Sequence, residues 1–309
     1  MKLISAGSIA EPFLQDLKSK ISALASAPKL VGFLANDDPA SAKYAEWTAK
    51  TCAETGINFE LKQVPRTELE DELTLANADN NIHGIMIYYP VFGGAQDQYL
   101  QNTVSVTKDV EGLSHTYRYN LYHNIRYLDS NQQIKCLLPC TPLGIIKILE
   151  AIGAYNLLLH VGDRLHGRII TVVNRSEVVG RPLAALLAND GAKVYSVDQF
   201  GVLEFTRGEG IKRKKHEIFE TSITLQDALS QSDIVIGGVP FTSYKIPTNQ
   251  LKEGVIALNF SSFKNFEDDI TEKASLYVPS VGKVTVAMLE RNLIRLYEYH
   301  QLRSTLGHI

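Results

Sequence analysis

Short runs of apolar residues, many of them β-branched, recur along the chain and alternate with segments of helical spacing. In the second half these runs are residues 169–173, 193–197, 232–240 and 253–260. Runs of this length are typical of parallel strands buried on both faces, so a strand is expected at each. Residues 183–188, between the first two runs, predict a helix that ends near Gly191.

The first half repeats the same alternation of strand and helix. Strands are predicted at residues 29–34, 57–64 and 84–89, and helices at 11–25, 40–54 and 67–78. Thr67 and Glu70 have the spacing of a capping box at the start of the third helix. Repeated units of strand and helix favour a mainly parallel sheet in this half as well.

Two domains of α/β class follow from this pattern and from the length of 309 residues. We predict a substrate domain at residues 1–144 and a Rossmann-like nucleotide-binding domain at residues 145–283. A last amphipathic helix, within 284–309, is expected to pack back on the first domain. Residues 109–135 read as a loop rich in Tyr, His and Asn, of the kind that builds a site.

Asp198 is the most informative residue of the second domain, because it follows a predicted strand directly. A carboxylate there can accept hydrogen bonds from a ribose diol and repels a 2′-phosphate, which favours NAD over NADP. Ligands of open parallel sheets bind beyond the carboxyl ends of the strands. The predicted cofactor residues are therefore Arg175, Ser176, Asp198, Gln199, Val239, Pro240, Asn259, Phe260 and Ser261. The turn lacks G-x-G-x-x-G, so a structural unit with an acidic surface residue stays an alternative.

The composition describes an ordinary globular protein with a net charge of −3. This charge gives no case for nucleic acid or membrane as a partner, and the run 212–215 is interpreted as a solvated loop. Three cysteines provide neither a disulfide framework nor a metal site. The N-terminal residues lack the pattern of a signal or transit peptide, so a cytoplasmic location is expected.

Several short motifs, taken in order, resemble the methylenetetrahydrofolate dehydrogenase/cyclohydrolase family. They are Asp38-Pro39-Ala40 with Tyr44, Lys108-Asp109-Val110-Glu111-Gly112, Pro139-Cys140-Thr141-Pro142, Arg175-Ser176 with Val179-Gly180 and Pro182, and Gly282 with Thr285 to Leu289. The resemblance implies a reduced folate as substrate, a nicotinamide cofactor and a homodimer joined through the nucleotide domains.

The chain departs from the family pattern at positions that bear on the reaction. Thr48 stands where the family's Tyr-x-x-x-Lys motif has its lysine, and Tyr88 replaces a glutamine. Glu111 replaces an aspartate, and Asn174 replaces the glycine of a Gly-Arg-Ser turn. With the long segment after Asp198, these changes resemble the monofunctional, NAD-dependent fungal branch of the family.

The resemblance also suggests roles in the first domain. Tyr44 and Cys140 are the candidate catalytic residues, and Tyr88 and Glu111 are the candidate substrate-binding residues. Core packing is the alternative for the two tyrosines, a solvated loop acid for Glu111, and a small buried thiol for Cys140. Cys140 is expected beside the nicotinamide.

Oxidation of a methylene carbon between two nitrogens releases a hydride and no proton, so it requires orientation and no general base. Hydrolysis of the methenyl product requires proton transfer, for which Thr48 is unsuited. The leading hypothesis is thus an NAD-dependent methylenetetrahydrofolate dehydrogenase without cyclohydrolase activity, supplying one-carbon units for purine synthesis. A bifunctional dehydrogenase/cyclohydrolase and a non-catalytic nucleotide-binding protein are the alternatives. A hydroxy-acid dehydrogenase is disfavoured because its proton-relay pair is not apparent.

Overall fold

The chain forms two compact units in the computed structural model, which describes residues 2–208 and 215–306 and side chains through residue 302. The first unit comprises Met1–Ile9, Asn120–Arg126 and Thr141–Thr285, and the second comprises Ala10–Tyr119, Tyr127–Cys140 and Val286–Ile309. Residues 1–9 and 120–126 were expected in the substrate domain. They belong instead to the unit that contains residues 141–285, and we call this unit the nucleotide unit.

An eight-stranded sheet forms the centre of the nucleotide unit, in the order β1-β11-β10-β9-β5-β6-β7-β8. Its strands are β1 (Lys2–Leu3), β5 (Ile169–Val173), β6 (Lys193–Asp198), β7 (Gly201–Thr206), β8 (Glu217–Glu220), β9 (Ile234–Gly237), β10 (Ile256–Asn259) and β11 (Leu276–Val278). The associated helices are α7 (Gly180–Asn189), α8 (Leu225–Gln231), α9 (Ile270–Lys273) and a short 3-10 helix (Thr248–Gln250). The four strands predicted from apolar runs are confirmed and pair in parallel.

The other unit, which we call the folate unit after the substrate that the sequence resemblance implies, contains a three-stranded parallel sheet in the order β3-β2-β4. Its strands are β2 (Lys29–Leu34), β3 (Asn58–Gln63) and β4 (Gly84–Ile87). The helices that lie wholly or mostly in it are α1 (Ala6–Ser22), α2 (Pro39–Thr55), α3 (Leu69–Ala78), α4 (Gly94–Thr103), α5 (His115–Tyr122) and α10 (Gly282–Leu306). Helix α6 (Cys140–Ala151) begins at the last residue of this unit.

Helix α2 is defined at both ends by its own sequence. The Asp38 side chain accepts a hydrogen bond from the Ser41 amide, Pro39 occupies the first turn, and Gly56 adopts φ 92° at the C-terminus. These caps fix the ends of the helix, and its buried side carries Thr48, Cys52 and Thr55.

Helix α10 packs its apolar side into the core of the folate unit. Leu289, Leu293 and Leu296 join Leu30 and Met86 in one buried cluster. The helix is confirmed, and it begins at Gly282, just before the predicted segment 284–309. No helix in the part of the chain that the structure describes is long and apolar enough to span a membrane.

Two local predictions are wrong. The residues of α5 were read as loop, although Tyr117 and Leu121 are buried at helical spacing. Helix α3 starts at Leu69, and its N-cap, Glu68, makes no side-chain capping bond, so the Thr67–Glu70 capping box is absent. The long segment after Asp198, to which no structure was assigned from the sequence, contains β7 and β8, which pair antiparallel to each other, and β7 also pairs antiparallel to β6. Residues 212–214 of the basic run lie outside the described residues.

Candidate active site

The carboxyl ends of four adjacent strands of the nucleotide unit collect most of the predicted cofactor residues. The chain runs from β5 through α7 to β6 on one side, whereas β9 pairs with β5 on the other. The chain direction across the sheet therefore reverses between β5 and β9. A reversal of this kind leaves a crevice beyond the strand ends, which is where nucleotides bind in open α/β sheets.

Asp198 and Arg175 form an ion pair at the end of β6. The Arg175 Nη1 atom lies 2.9 Å from Asp198 Oδ2, and both side chains are largely buried. Arg175 also donates to the Ser196 and Gly201 carbonyls, at 2.6 and 2.9 Å. The guanidinium is thus held inside the β6–β7 hairpin. The Asp198 Oδ1 atom accepts a hydrogen bond from the Phe200 amide, and each carboxylate oxygen retains accepting capacity for a diol.

The turn between β5 and α7 lacks the glycines of the G-x-G-x-x-G motif. Asn174 adopts φ 93°, and its side-chain amide donates to the Gly238 carbonyl at 2.6 Å. The Ser176 hydroxyl accepts hydrogen bonds from the Val179 and Gly180 amides, at 3.3 Å each. Gly180 itself is required, because a Cβ atom there would lie 1.8 Å from the Asn174 carbonyl oxygen.

The loops after β9 and β10 are tied together by amide side chains. The Val239 amide donates to Asn265 Oδ1, and the Val239 carbonyl accepts from Ser261 Oγ and Asn265 Nδ2. Asn259 donates to three carbonyls, those of Ser261, Phe263 and Pro279. Asn259 therefore organises these loops, and Asn265 is a residue that the sequence reading missed.

Three predicted cofactor residues remain: Phe260 is half-buried, and Pro240 and Gln199 are exposed. Phe260 packs over Gly238 so closely that a Cβ atom there would lie 1.7 Å from the ring. Pro240 and Gln199 are exposed beside this packed region, at the ends of β9 and β6. All nine predicted cofactor residues thus lie at the carboxyl ends of β5, β6, β9 and β10, or in the segments that directly follow them.

In the folate unit, Tyr44 and Tyr88 form an aromatic pair. Their ring centroids are 5.8 Å apart and their planes meet at 80°, which is an edge-to-face arrangement. Burial raises the pKa of both hydroxyls, so both remain protonated. Thr48 is fully buried one turn along from Tyr44, and its hydroxyl donates to the Tyr44 carbonyl at 2.9 Å.

The segment Lys108–Gly112 contains two charged residues with structural roles, Lys108 and Asp109, and one candidate binding residue, Glu111. The Lys108 ammonium donates to the carbonyls of Ala76, Asn77 and Asp79 at the end of α3. The Asp109 carboxylate accepts from the Gly112 and Ser114 amides, which holds the loop closed. These roles are internal to the fold. Glu111 is therefore the member of this segment that can serve a ligand.

Glu111 is a half-buried residue whose carboxyl group has a strongly raised pKa. Its Oε2 atom accepts a hydrogen bond from the Ile87 amide at the end of β4, at 3.0 Å. Burial, opposed by this hydrogen bond and reinforced by Asp109, raises its pKa to about 8. Tyr88 and Cys140 belong to one buried cluster on which Tyr44 packs, and Glu111 binds the amide of Ile87 directly before Tyr88. These four residues therefore lie in one region of the folate unit.

Cys140 is a buried thiol with a structural environment. Its Sγ atom lies 3.3 Å from the Val110 carbonyl, to which it donates. Burial, followed by Glu111 and Asp109, raises its pKa well above the usual value, so the thiol is not a nucleophile at neutral pH. Asn292 of α10 donates to the Val110 and Leu138 carbonyls and approaches the sulfur at 3.6 Å.

Asn292 is a residue that sequence reasoning missed, and its removal has a predictable effect. Asn292→Leu would leave the Val110 and Leu138 carbonyls without their buried donor. We expect a loss of about 2–5 kcal/mol in the free energy of unfolding, measured by urea denaturation. The exposed Glu298→Gln on the same helix serves as the control and should change this quantity by less than about 0.5 kcal/mol. Equal stability of the two variants would refute this role.

Within residues 2–208 and 215–306, no group of three His, Cys, Asp or Glu side chains could hold a metal ion.

Comparison with known proteins agrees with this geometry. Residues 4–111 match the family described as tetrahydrofolate dehydrogenase/cyclohydrolase, catalytic domain, and residues 139–202 match its NAD(P)-binding domain. The chain is 56% identical over 299 residues to a methylenetetrahydrofolate dehydrogenase (NAD+) of Schizosaccharomyces pombe, covering 96% of this chain and 93% of that protein. It is 51% identical over 305 residues to the Saccharomyces cerevisiae protein of the same name, covering 96% and 95%.

A solved structure gives the same result in three dimensions. The NAD-dependent 5,10-methylenetetrahydrofolate dehydrogenase from Saccharomyces cerevisiae superposes with a TM-score of 0.94 at 50% identity, covering 98% of this chain and 99% of that one. Motifs, fold and overall identity agree over nearly the whole length. The chain belongs to the tetrahydrofolate dehydrogenase/cyclohydrolase family.

Proposed function

We propose that this protein oxidises 5,10-methylenetetrahydrofolate to the methenyl form with NAD as hydride acceptor, in one-carbon metabolism, and lacks cyclohydrolase activity. The relatives above 50% identity carry the name of the NAD-dependent dehydrogenase. The observation that carries the monofunctional assignment is Thr48, which is fully buried and has no group that titrates near neutrality.

Neighbouring lysines cannot replace the missing ammonium. Lys43 and Lys50 are exposed on α2, whereas Thr48 is buried on the opposite side. The Lys43 ammonium lies over the Trp47 ring, 5.4 Å from its centroid. Hydrolysis of the methenyl product would need a proton carrier inside the site, and none of these side chains provides one there.

The residues of the folate unit are suited to binding and orientation. Tyr44 and Tyr88 offer aromatic surface to the folate, and an ionised Glu111 can accept paired hydrogen bonds from its pterin-like ring. The Cys140 thiol fills space and keeps the Val110 carbonyl satisfied. Since hydride loss needs no base, such groups are sufficient for this half-site.

The residues of the nucleotide unit fit NAD. Asp198 presents accepting oxygens for a ribose diol, and the Phe260 ring packs directly on Gly238 at the end of strand β9. NAD, when bound, supplies the acceptor for the hydride. Arg175 holds Asp198 in place and neutralises its charge in the absence of ligand.

Glu111→Gln tests the folate contact through its pH dependence. A carboxyl group with a pKa of about 8 is neutral in the free protein at pH 7, and the proposed contact requires the ionised form. The dissociation constant for the folate should fall about tenfold per pH unit from pH 6 to 8 and then level off. In Glu111→Gln this slope should vanish and binding at pH 8 should weaken about 10- to 100-fold. Titration calorimetry measures both; an unchanged slope in the variant refutes the contact.

The direct test of the function compares NAD and NADP with methylenetetrahydrofolate while recording reduced nucleotide and methenyl absorbance. Persistence of the methenyl signal after NAD reduction supports the proposal, and rapid enzyme-dependent decay would favour the bifunctional alternative. Nucleotide binding without turnover would favour a non-catalytic protein. The homodimer and the cytoplasmic location stay predictions.

A further inference from the structure

Glu290 is a buried carboxyl group to which the reaction assigns no task. It lies on α10 and is fully buried. Neither of its oxygens makes a hydrogen bond of ordinary geometry, and among the residues that the structure describes it forms no ion pair. Buried polar atoms are almost always satisfied, so an exception of this kind requires an explanation.

The groups that face Glu290 belong to α2. The Cys52 thiol and the Thr55 hydroxyl interact with its carboxyl group, and the charge of Glu54 acts on it as well. The Thr55 hydroxyl is otherwise used within α2, because it donates to the Thr51 and Cys52 carbonyls. Cys52 also packs in one buried cluster with Leu289 and Leu293, which flank Glu290 on α10. Glu290 therefore lies on the part of α10 that packs against the helix carrying Tyr44.

Geometry links this contact to the folate site. Thr48, Cys52 and Thr55 are spaced by four and three residues, so they form one stripe along the buried side of α2. Tyr44 is one turn before Thr48, and Cys52 is among the groups that act on both Tyr44 and Tyr88. A side chain that displaces Cys52 and Thr55 would shift this helix and the Tyr44 ring together.

The arrangement is unfavourable for stability. Burial raises the pKa of Glu290 to about 7, so part of the population carries an unpaired buried charge at neutral pH. An apolar residue of similar size often stabilises a protein at such a position. Retention of a costly buried acid is expected where it serves activity.

We propose that Glu290 is a positioning residue for the folate site, acting through Cys52 and Thr55 on the placement of α2 and its Tyr44. The proposal rests on the proposed function, because the site it serves is the folate site. It assigns Glu290 no contact with substrate and no part in hydride transfer.

The test compares Glu290→Gln, which keeps the shape and the hydrogen-bonding capacity, with Glu290→Leu, which removes both polar atoms. In Glu290→Leu we expect the KM for methylenetetrahydrofolate to rise at least fivefold. The KM for NAD and kcat should change less than twofold, and the urea midpoint at pH 8 should not fall. Glu290→Gln should keep the KM for the folate within twofold of the wild-type value. A purely structural role would alter the midpoint and leave KM unchanged.

The pH dependence of stability provides an independent test of the Glu290 carboxyl group. Because the pKa of Glu290 is raised in the folded protein, its contribution to stability is complete below the pKa of the unfolded carboxyl group, is lost as the pH rises through about 7, and is constant well above that pH. The stability of the wild type relative to Glu290→Gln should therefore fall between pH 5 and pH 8. Cys52 and Glu54, the titratable groups facing it, are present in both proteins and cancel in the comparison.

Two further variants test the proposal if Glu290→Leu fails to fold and separate an effect on KM from a loss of stability. Thr55→Val removes the hydroxyl group beside the Glu290 carboxyl group at nearly constant shape and should raise the KM for the folate two- to fivefold, even if Glu290→Leu fails to fold. Leu296→Ala, in the same core cluster, should lower the urea midpoint without changing this KM. An unaltered KM in both Glu290→Leu and Thr55→Val, or an equal rise in the KM for NAD, would overturn the proposal. Absence of wild-type turnover on the folate would overturn the proposed function and this inference with it.

Discussion

Asp198→Ser is expected to shift the ratio of kcat/KM for NADP over NAD upwards by about 1–3 kcal/mol, or roughly 5- to 150-fold. Removing the carboxylate abolishes its repulsion of a 2′-phosphate and its hydrogen bonds to the ribose diol of NAD. It also releases Arg175, which is now held 2.9 Å from Asp198. The freed guanidinium could then pair with the phosphate of NADP.

The contribution of the released arginine can be separated by a double variant. In Asp198→Ser/Arg175→Ala, loss of the repulsion remains but the new phosphate partner is gone, so the gain for NADP should be smaller than in the single variant. Glu204→Gln is the matched control, because this acid lies in the same hairpin and pairs with Lys193. Initial rates with both nucleotides measure the ratio. An unchanged ratio in Asp198→Ser would reject Asp198 as the determinant.

The buried strands of both sheets could be predicted because their residues are apolar on both faces. Strand β5 is a continuous run with four of its five residues buried, and β2 behaves in the same way. Hairpin β7–β8 escaped prediction for the opposite reason. Strand β8 is exposed along its whole length, and such an edge strand carries no apolar signal.

Candidate residues could be predicted from the sequence where they lie in a short motif or directly follow a predicted strand. Asp198 follows its strand directly, and Tyr44 and Glu111 lie in local patterns. Asn265, Asn292 and Glu290 could not be found in this way, because their partners are far away in sequence. Asn292 contacts carbonyls at positions 110 and 138, and no pattern within one segment encodes such a contact.

Two of the predicted cofactor residues make contacts within the protein itself. Arg175 was predicted to contact the cofactor, and its guanidinium binds three residues of the β6–β7 hairpin. Ser176 accepts two amides at the start of α7. Both residues therefore shape the cofactor site from within, and the proposed contact with the ribose falls to Asp198.

Thr48→Lys alone is expected to restore less than a few per cent of a bifunctional enzyme's cyclohydrolase rate. Thr48 is fully buried, so a lysine there would overpack the side of α2 that also carries Cys52. Overpacking costs about 1–3 kcal/mol, and burying an unpaired ammonium adds to this cost or drives the amine neutral and out of place. The Tyr88 ring, which approaches Tyr44 edge-on, occupies the position of the family's glutamine.

Thr48→Lys/Tyr88→Gln should therefore hydrolyse the methenyl product faster than either single variant, since the smaller amide gives the ammonium both space and an acceptor. The decay of methenyl absorbance with and without enzyme measures the rate. Thr51→Lys is the matched control: the Thr51 hydroxyl also donates to a carbonyl one turn back, but this residue is only half-buried. Its loss of stability should be well below that of Thr48→Lys. Rapid hydrolysis by the single Thr48→Lys variant would show that the ammonium is the only group that this site lacks.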